Sequence, residues 1–249
     1  MVARYLAQSF AQIIGTDPSS GMVEQARSSS SKDAFPNVKF EVAPAETMPF
    51  IADSSVDMIV SGQAAHWFDP IPFWAEMKRI VRKDGTIALW CYKDHVFVNS
   101  PTATMITEQY AYGDDERLLG PYWEQPGRSI VQNKLRDLQP PASDWNDIQR
   151  VEYEPATNGP ESGEGTMFLR RKMKLGDCEN YVRTWSSFHA WQRQHPQAKR
   201  RQEGGEGDVI DEMFETIVAS EPRWQTNGDW KDVDVNIEWG SGLILARQR

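Results

Sequence analysis

Cysteine is almost absent: Cys91 and Cys178 are the only two in 249 residues. They stand alone and far apart, which excludes a disulfide framework and the paired-ligand spacing of a zinc site. Cys91 lies inside an apolar run and reads as a core residue. No run approaches the ~18 apolar residues that a membrane span requires. A charged-then-apolar signal pattern is missing from the N-terminus, so the expected compartment is reducing and cytoplasmic, with no membrane partner. Positive charge is also short. Lys plus Arg number 27 against 36 Asp plus Glu, a net charge of −9, which gives no general attraction toward nucleic acid. A local basic run, Lys199-Arg200-Arg201, reads as a solvated loop. No P-loop occurs, and no Gly-x-Ser-x-Gly elbow. No tyrosine is followed four residues later by lysine, which sets aside a short-chain dehydrogenase.

What is present alternates helix and strand. At 39% hydrophobic and 25% charged residues, the chain has the composition and length to bury a core. Ala3, Leu6, Ala7 and Phe10 fall at helical spacing. "AQIIGTD" predicts a short strand, and Pro18-Ser19-Ser20 starts a helix to about Arg27. "VKFEVAPAE" alternates as a second strand. "VDMIVSG" and "TIALWCY" are near-continuous apolar runs. Between them lies a helix whose Phe73, Trp74, Met77, Ile80 and Val81 form one stripe, and a turn at Lys83-Asp84-Gly85. Such runs imply parallel strands covered on both faces, hence a doubly wound, mostly parallel α/β sheet. The second half predicts helices over 103–112 and 127–138, a strand at "DIQRVEYEP" and two longer helices. One holds Tyr181, Val182, Trp185 and Phe188; the other holds Val209 to Val218. The closing "VNIEWGSGLILARQR" reads as a strand broken at Gly240-Ser241-Gly242 by a bulge or hairpin.

Three strand ends carry candidate chemistry. Asp17, directly after an apolar strand, should lie at the carboxyl edge where such sheets bind ligands, with two oxygens able to accept both hydroxyls of a ribose. It reads equally well as a turn residue capping the next helix. Ala45-Glu46 ends the second strand, where small side chains let a flat ring approach the backbone. Gln63, His66, Trp67 and Asp69 follow the third; a His-Trp pair there is exposed unless something packs on it.

These ends, quoted as "IIGTDPSSGMVEQA", "VAPAETMPFIADSSVDMIVSGQAAHWFD" and "FWAEMKRIVRKDGTIALW", with "YVRTWSSFHAW" and "WGSGLILAR" later, resemble the class I S-adenosylmethionine-dependent methyltransferases. More narrowly they are similar to the trans-aconitate methyltransferase group and its fungal small-molecule relatives. The resemblance implies a Rossmann-like sheet with a helical lid insertion in a single domain. Residues 1–98 would form its cofactor half, 99–232 the acceptor-side strand and lid, and 233–249 the closing strand or hairpin. It implies S-adenosylmethionine as cofactor, with Asp17 on the ribose and Met22 bordering the adenosyl pocket. Ala45 and Glu46 would flank the adenine, and Gln63 and Ala64 the methionine moiety. His66 and Trp67 would face the methyl group as catalytic candidates. Trp185 and His189, on a lid helix from Tyr181 to Trp191, would line the acceptor site. The acceptor implied is a small molecule carrying a carboxyl group; Arg170, Arg171 and Lys172, on a predicted loop, and Arg183, on a predicted helix, are candidate partners of a polyacid.

The family's first strand and its glycine-rich loop have no counterpart before "MVARYLAQSF". That strand belongs mid-sheet, between the strands at 12–16 and 56–61, so those two are expected to lose pairing unless they close on each other. The alternative to an enzyme is a shortened pseudo-methyltransferase acting as a protein-binding partner.

Overall fold

A computed structural model describes residues 2–31, 33–225 and 228–249. In chain order its elements begin with α1 (Val2–Leu6), β1 (Ile13–Asp17), α2 (Ser20–Ser28) and β2 (Val38–Val42). Next come β3 (Val56–Gly62), α3 (Pro70–Ile80), β4 (Val81–Phe97), α4 (Pro101–Tyr112) and α5 (Gly127–Gln132). Then follow β5 (Trp145–Glu154), β6 (Glu164–Gly165), β7 (Arg170–Lys174) and α6 (Leu175–Val182). The last are α7 (Ser186–Gln194), α8 (Val209–Ser220) and β8 (Asp234–Gln248). The contacts divide the chain into two compact units: 1–90 with 137–150 and 244–249, and 91–136 with 151–243.

The α/β class expected from the sequence is observed. In the first unit β1 pairs with β2 in parallel, setting Asp17 beside Val42. β3 pairs in parallel with β4 across the α3 crossover. α3 forms because Asp69 caps it, its side chain accepting from the Ile71 amide, with proline in the first turn. Its stripe of Phe73, Trp74, Met77 and Ile80 is buried, and Trp74 meets Trp145 edge-on with ring centroids 5.6 Å apart. The turn expected at Lys83-Asp84-Gly85 lies inside β4: Val56 faces Val81 while Met58 faces Thr86, so the extra residues bulge out, with Asp84 at φ 61°.

The sheet is in two pieces. β1 and β2 form one, and the other runs β3-β4-β8-β5-β6 with β7 on β8. Among the described residues β1 and β3 do not pair directly.

The second unit is built on a cluster in which Phe97, Ile106 and Leu119 meet the buried face of α8, formed by Ile210, Met213, Phe214 and Ile217. Four expectations are corrected here. The helix over 127–138 stops at Gln132, because Lys134 and Leu135 take φ of 54° and 60°. The helix expected from Tyr181 to Trp191 is two helices, with Trp185 in an extended conformation between them. The Thr184 hydroxyl donates to the Tyr181 carbonyl at 2.7 Å and ends the first of them. Residues 170–172, expected as loop, form β7, antiparallel to β8. Finally, β8 runs through Gly240 and Gly242 without a hairpin. Close approach favours glycine at Gly242, where a Cβ would lie 2.6 Å from the Lys134 carbonyl; at Gly240 a Cβ would meet only the flexible Lys93 side chain.

Candidate functional site

The three strand-end turns singled out in the sequence are linked in the first unit by two hydrogen bonds. The Ala43 amide donates to the Asp17 carbonyl at 3.1 Å, holding the turn after β2 against the end of β1. The Asp69 amide donates to Glu46 Oε1 at 2.9 Å, holding that same turn against the segment after β3. Asp17 Oδ1 accepts from the Ser19 amide at 2.9 Å, and the N-cap of α2 is Ser19, whose hydroxyl accepts from the Met22 amide at 3.3 Å. The capping task therefore falls mainly to Ser19, and Asp17 keeps its second oxygen for another donor.

β3 ends on Gly62, where a Cβ would lie 2.6 Å from the Trp90 ring, so only glycine lets the strand pass that indole. Gln63 follows at φ 56°, a left-handed conformation uncommon outside glycine and concentrated at functional turns. Its amide still donates to the Trp90 carbonyl at 2.9 Å. Ala65–Trp67 forms one 3-10 turn. The His66 ring lies against Trp67 with centroids 4.7 Å apart, and Trp67 is 52% exposed. Met22 is 59% exposed. Trp185 and His189 belong to the second unit; Trp185 is buried against Trp123, with centroids 5.6 Å apart, and His189 is exposed on α7.

A clamp that the sequence reading missed holds the turn after β2. Arg79, near the end of α3, donates to the carbonyls of Ile51 at 2.8 Å and Met48 at 3.0 Å. It also pairs with Asp53 and Glu76, each at 2.7 Å. Glu76 Oε1 accepts from the Met48 amide at 2.6 Å. The Arg79 hydrogen bond, the Met48 amide and the Arg79 charge hold the Glu76 carboxyl below its usual range, against the opposing effect of burial. The clamp therefore holds above the ordinary glutamate pKa and is lost as pH falls below it through the depressed value. Arg79→Ala is expected to weaken S-adenosylmethionine binding by about tenfold through lost positioning of the turn after β2. Arg79→Lys should recover only part, since the planar fork is what serves four partners. Calorimetric titration of both variants measures this; unchanged affinity in Arg79→Ala would refute it.

The donor set at this edge suits an adenosyl group. It offers a carboxylate for a diol, small side chains at Ala45 and Ala64, and two large apolar side chains, Met22 and Trp67, left uncovered. Among the described residues, no group of three or more His, Cys, Asp or Glu could hold a metal ion. No helix there is long and apolar enough to cross a membrane.

Residues 1–89 match the family model of the methyltransferase domain. The chain is 29% identical over 248 residues to the probable S-adenosylmethionine-dependent methyltransferase CRG1 of Saccharomyces cerevisiae, covering 96% of this chain and 79% of that protein. It is also 29% identical over 232 residues to a candidate methyltransferase of Dictyostelium discoideum, covering 93% and 73%. A solved candidate type II methyltransferase from Anaeromyxobacter dehalogenans shares the fold, with a TM-score of 0.66 at 23% identity over 97% of this chain and 83% of that one. Over residues 1–89, and at 29% identity along most of its length, the chain is therefore similar to S-adenosylmethionine-dependent methyltransferases, and it shares the fold of a solved one.

Proposed function

We propose that this enzyme methylates the carboxylate of a small molecule, and that the linked turns at Asp17, Ala45–Glu46 and Gln63–Trp67 hold the cofactor. Asp17 takes the ribose, Met22 and Ala45–Glu46 border the adenine, and Gln63 and Ala64 lie beside the methionine end. His66 and Trp67 face the methyl group. The observation that carries this reading is the pair of hydrogen bonds joining the three turns, Ala43 to Asp17 and Glu46 to Asp69, beside two uncovered apolar side chains.

The bound cofactor supplies an electrophilic methyl on sulfur: as a carboxylate oxygen takes it, the C–S electron pair returns to sulfur and a methyl ester forms with no proton transfer. The protein's share is positioning and exclusion of water. A carboxylate, with a reference pKa of ~4, is already ionised at neutral pH. His66 then acts as a wall with Trp67, whose face suits a cationic sulfonium.

Asp17→Ala is expected to weaken S-adenosylmethionine binding by at least about tenfold, since the charge-assisted hydrogen bond to its second oxygen is lost. Calorimetric titration measures it, and equal affinity in the variant and the parent refutes the placement. Base treatment of the methylated product tests the acceptor: an ester releases methanol and an ether does not.

A further inference from the structure

A cavity of about 260 Å³ opens within the second unit where α6 begins, with Lys174, Glu179, Arg200 and Lys231 in its wall. Arg200, expected in a solvated loop, is instead tied to α6. Its Nη2 donates to Glu179 Oε1 at 3.0 Å and to Asn180 Oδ1 at 3.1 Å. The bonding here stops short of complete. Arg200 Nε is buried and has no acceptor. The Glu179 side chain is 1% exposed, yet its Oε2 accepts no hydrogen bond; the Lys231 ammonium, 3.1 Å away, is in contact as an ion pair without hydrogen-bond geometry. A buried donor and a buried acceptor in this state call for an explanation.

The same wall carries unused acceptors. Asp177 and Asp232 belong to it, both exposed, and among the described residues their carboxylates make no hydrogen bond or ion pair. It carries further donors as well: no side chain caps α6, whose first turn brings Gly176 into the wall. A lone anion would meet Asp177, Glu179 and Asp232, and a lone cation would meet Lys174, Arg200 and Lys231. A molecule with an ammonium and a carboxylate close together answers both and is neutral as a whole. No apolar side chain lines the cavity among the described residues, which disfavours a large apolar body.

We propose that this cavity binds a free α-amino acid with a small or polar side chain. Arg200, Lys231 and the first-turn amides of α6 receive its carboxylate, and Asp177 and Asp232 receive its ammonium. Glu179 also holds Arg183, which reaches Asp208 and Asp211 at the start of α8, so an occupied cavity stabilises the second unit. Nothing in this site depends on the cofactor placement at Asp17.

The test is calorimetric titration of the whole chain with L-serine, and separately with acetate and with ethanolamine, each of which keeps one of the two charges. L-serine is expected to bind and to raise the thermal unfolding midpoint. Acetate and ethanolamine should bind at least about tenfold more weakly, because each forgoes the charge-assisted hydrogen bonds at one end. Lys231→Met, which keeps the stem and removes the ammonium, should weaken L-serine by about tenfold. The double variant Asp177→Asn with Asp232→Asn, at two exposed positions, should do the same. The proposal is overturned by acetate or ethanolamine binding as tightly as L-serine, by unchanged L-serine affinity in either variant, or by no L-serine binding at millimolar concentration. Should a variant fail to fold, the acetate and ethanolamine titrations of the parent decide. S-adenosylmethionine is titrated into parent and variants alongside: equal affinity is expected, and a fall in step with L-serine gives the cavity to the cofactor and overturns the proposal.

Discussion

Replacing Glu179 by alanine is expected to destabilise the protein by about 3–5 kcal/mol, the usual consequence of breaking a buried ion pair from one side. The Glu179 side chain is 1% exposed and lies at the centre of a cationic cluster. Its Oε1 accepts from Arg183 Nε at 2.9 Å and from Arg200 at 3.0 Å, and the Lys231 ammonium lies 3.1 Å from Oε2. Arg183 reaches on to Asp208 at 2.5 Å and Asp211 at 2.7 Å, the two residues that form the capping box of α8. Burial pulls the Arg183 guanidinium down, yet its bonds to Asp208 and Glu179 more than offset this and leave it raised. Without Glu179, three cations converge on an apolar methyl and Arg183 keeps only the two acids at the start of α8. Urea unfolding measures the effect as a fall in midpoint at constant slope. A loss below about 1 kcal/mol, the range of exposed pairs, would show that the cluster is solvated and not buried.

Acid is expected to weaken the fold through His95, by about 3 kcal/mol between pH 7 and pH 4. In the unfolded chain this imidazole takes up a proton near its ordinary value of 6.5, whereas burial in the fold defers protonation to about 4. Between those values the unfolded state binds the extra proton, so stability falls as pH drops through 6.5 and levels off near 4. The charge of Asp94 opposes the shift, and burial outweighs it. In His95→Phe this slope should vanish while acid effects common to both proteins, such as loss of the Glu76–Arg79 pair, remain. Unfolding midpoints at pH 7 and pH 4 for both proteins give the difference, and parallel pH profiles would refute the assignment.

Legibility in the sequence followed the range of the interaction that shaped each element. The β3-α3-β4 unit could be read because its stripe of Phe73, Trp74, Met77 and Ile80 and its apolar strands are local patterns. The division between α6 and α7 could not, since Tyr181, Trp185 and Phe188 keep helical spacing across it. Part of what fixes the break is Arg183, whose partners Asp208 and Asp211 lie 25 and 28 residues away. β8 misled for the same reason: Gly242 answers to the Lys134 carbonyl, which pattern along the strand does not reveal. At the site, Asp17, Glu46 and Asp69 were visible as polar residues at strand ends. Arg79 was not, because a basic residue in the last turn of a helix is ordinary, and its partners at 48, 51 and 53 come from folding the chain back.

The first unit is assembled from three separated lengths of chain, and its last piece, Ile244–Arg249, buries Ile244 and Ala246 and donates from Gln248 to the Lys78 carbonyl at 2.8 Å. On the ribosome, then, most of the nascent chain emerges before that unit can be finished. The stretches numbered 91–136 and 151–243 leave the ribosome before that last piece, so the first unit is completed after them.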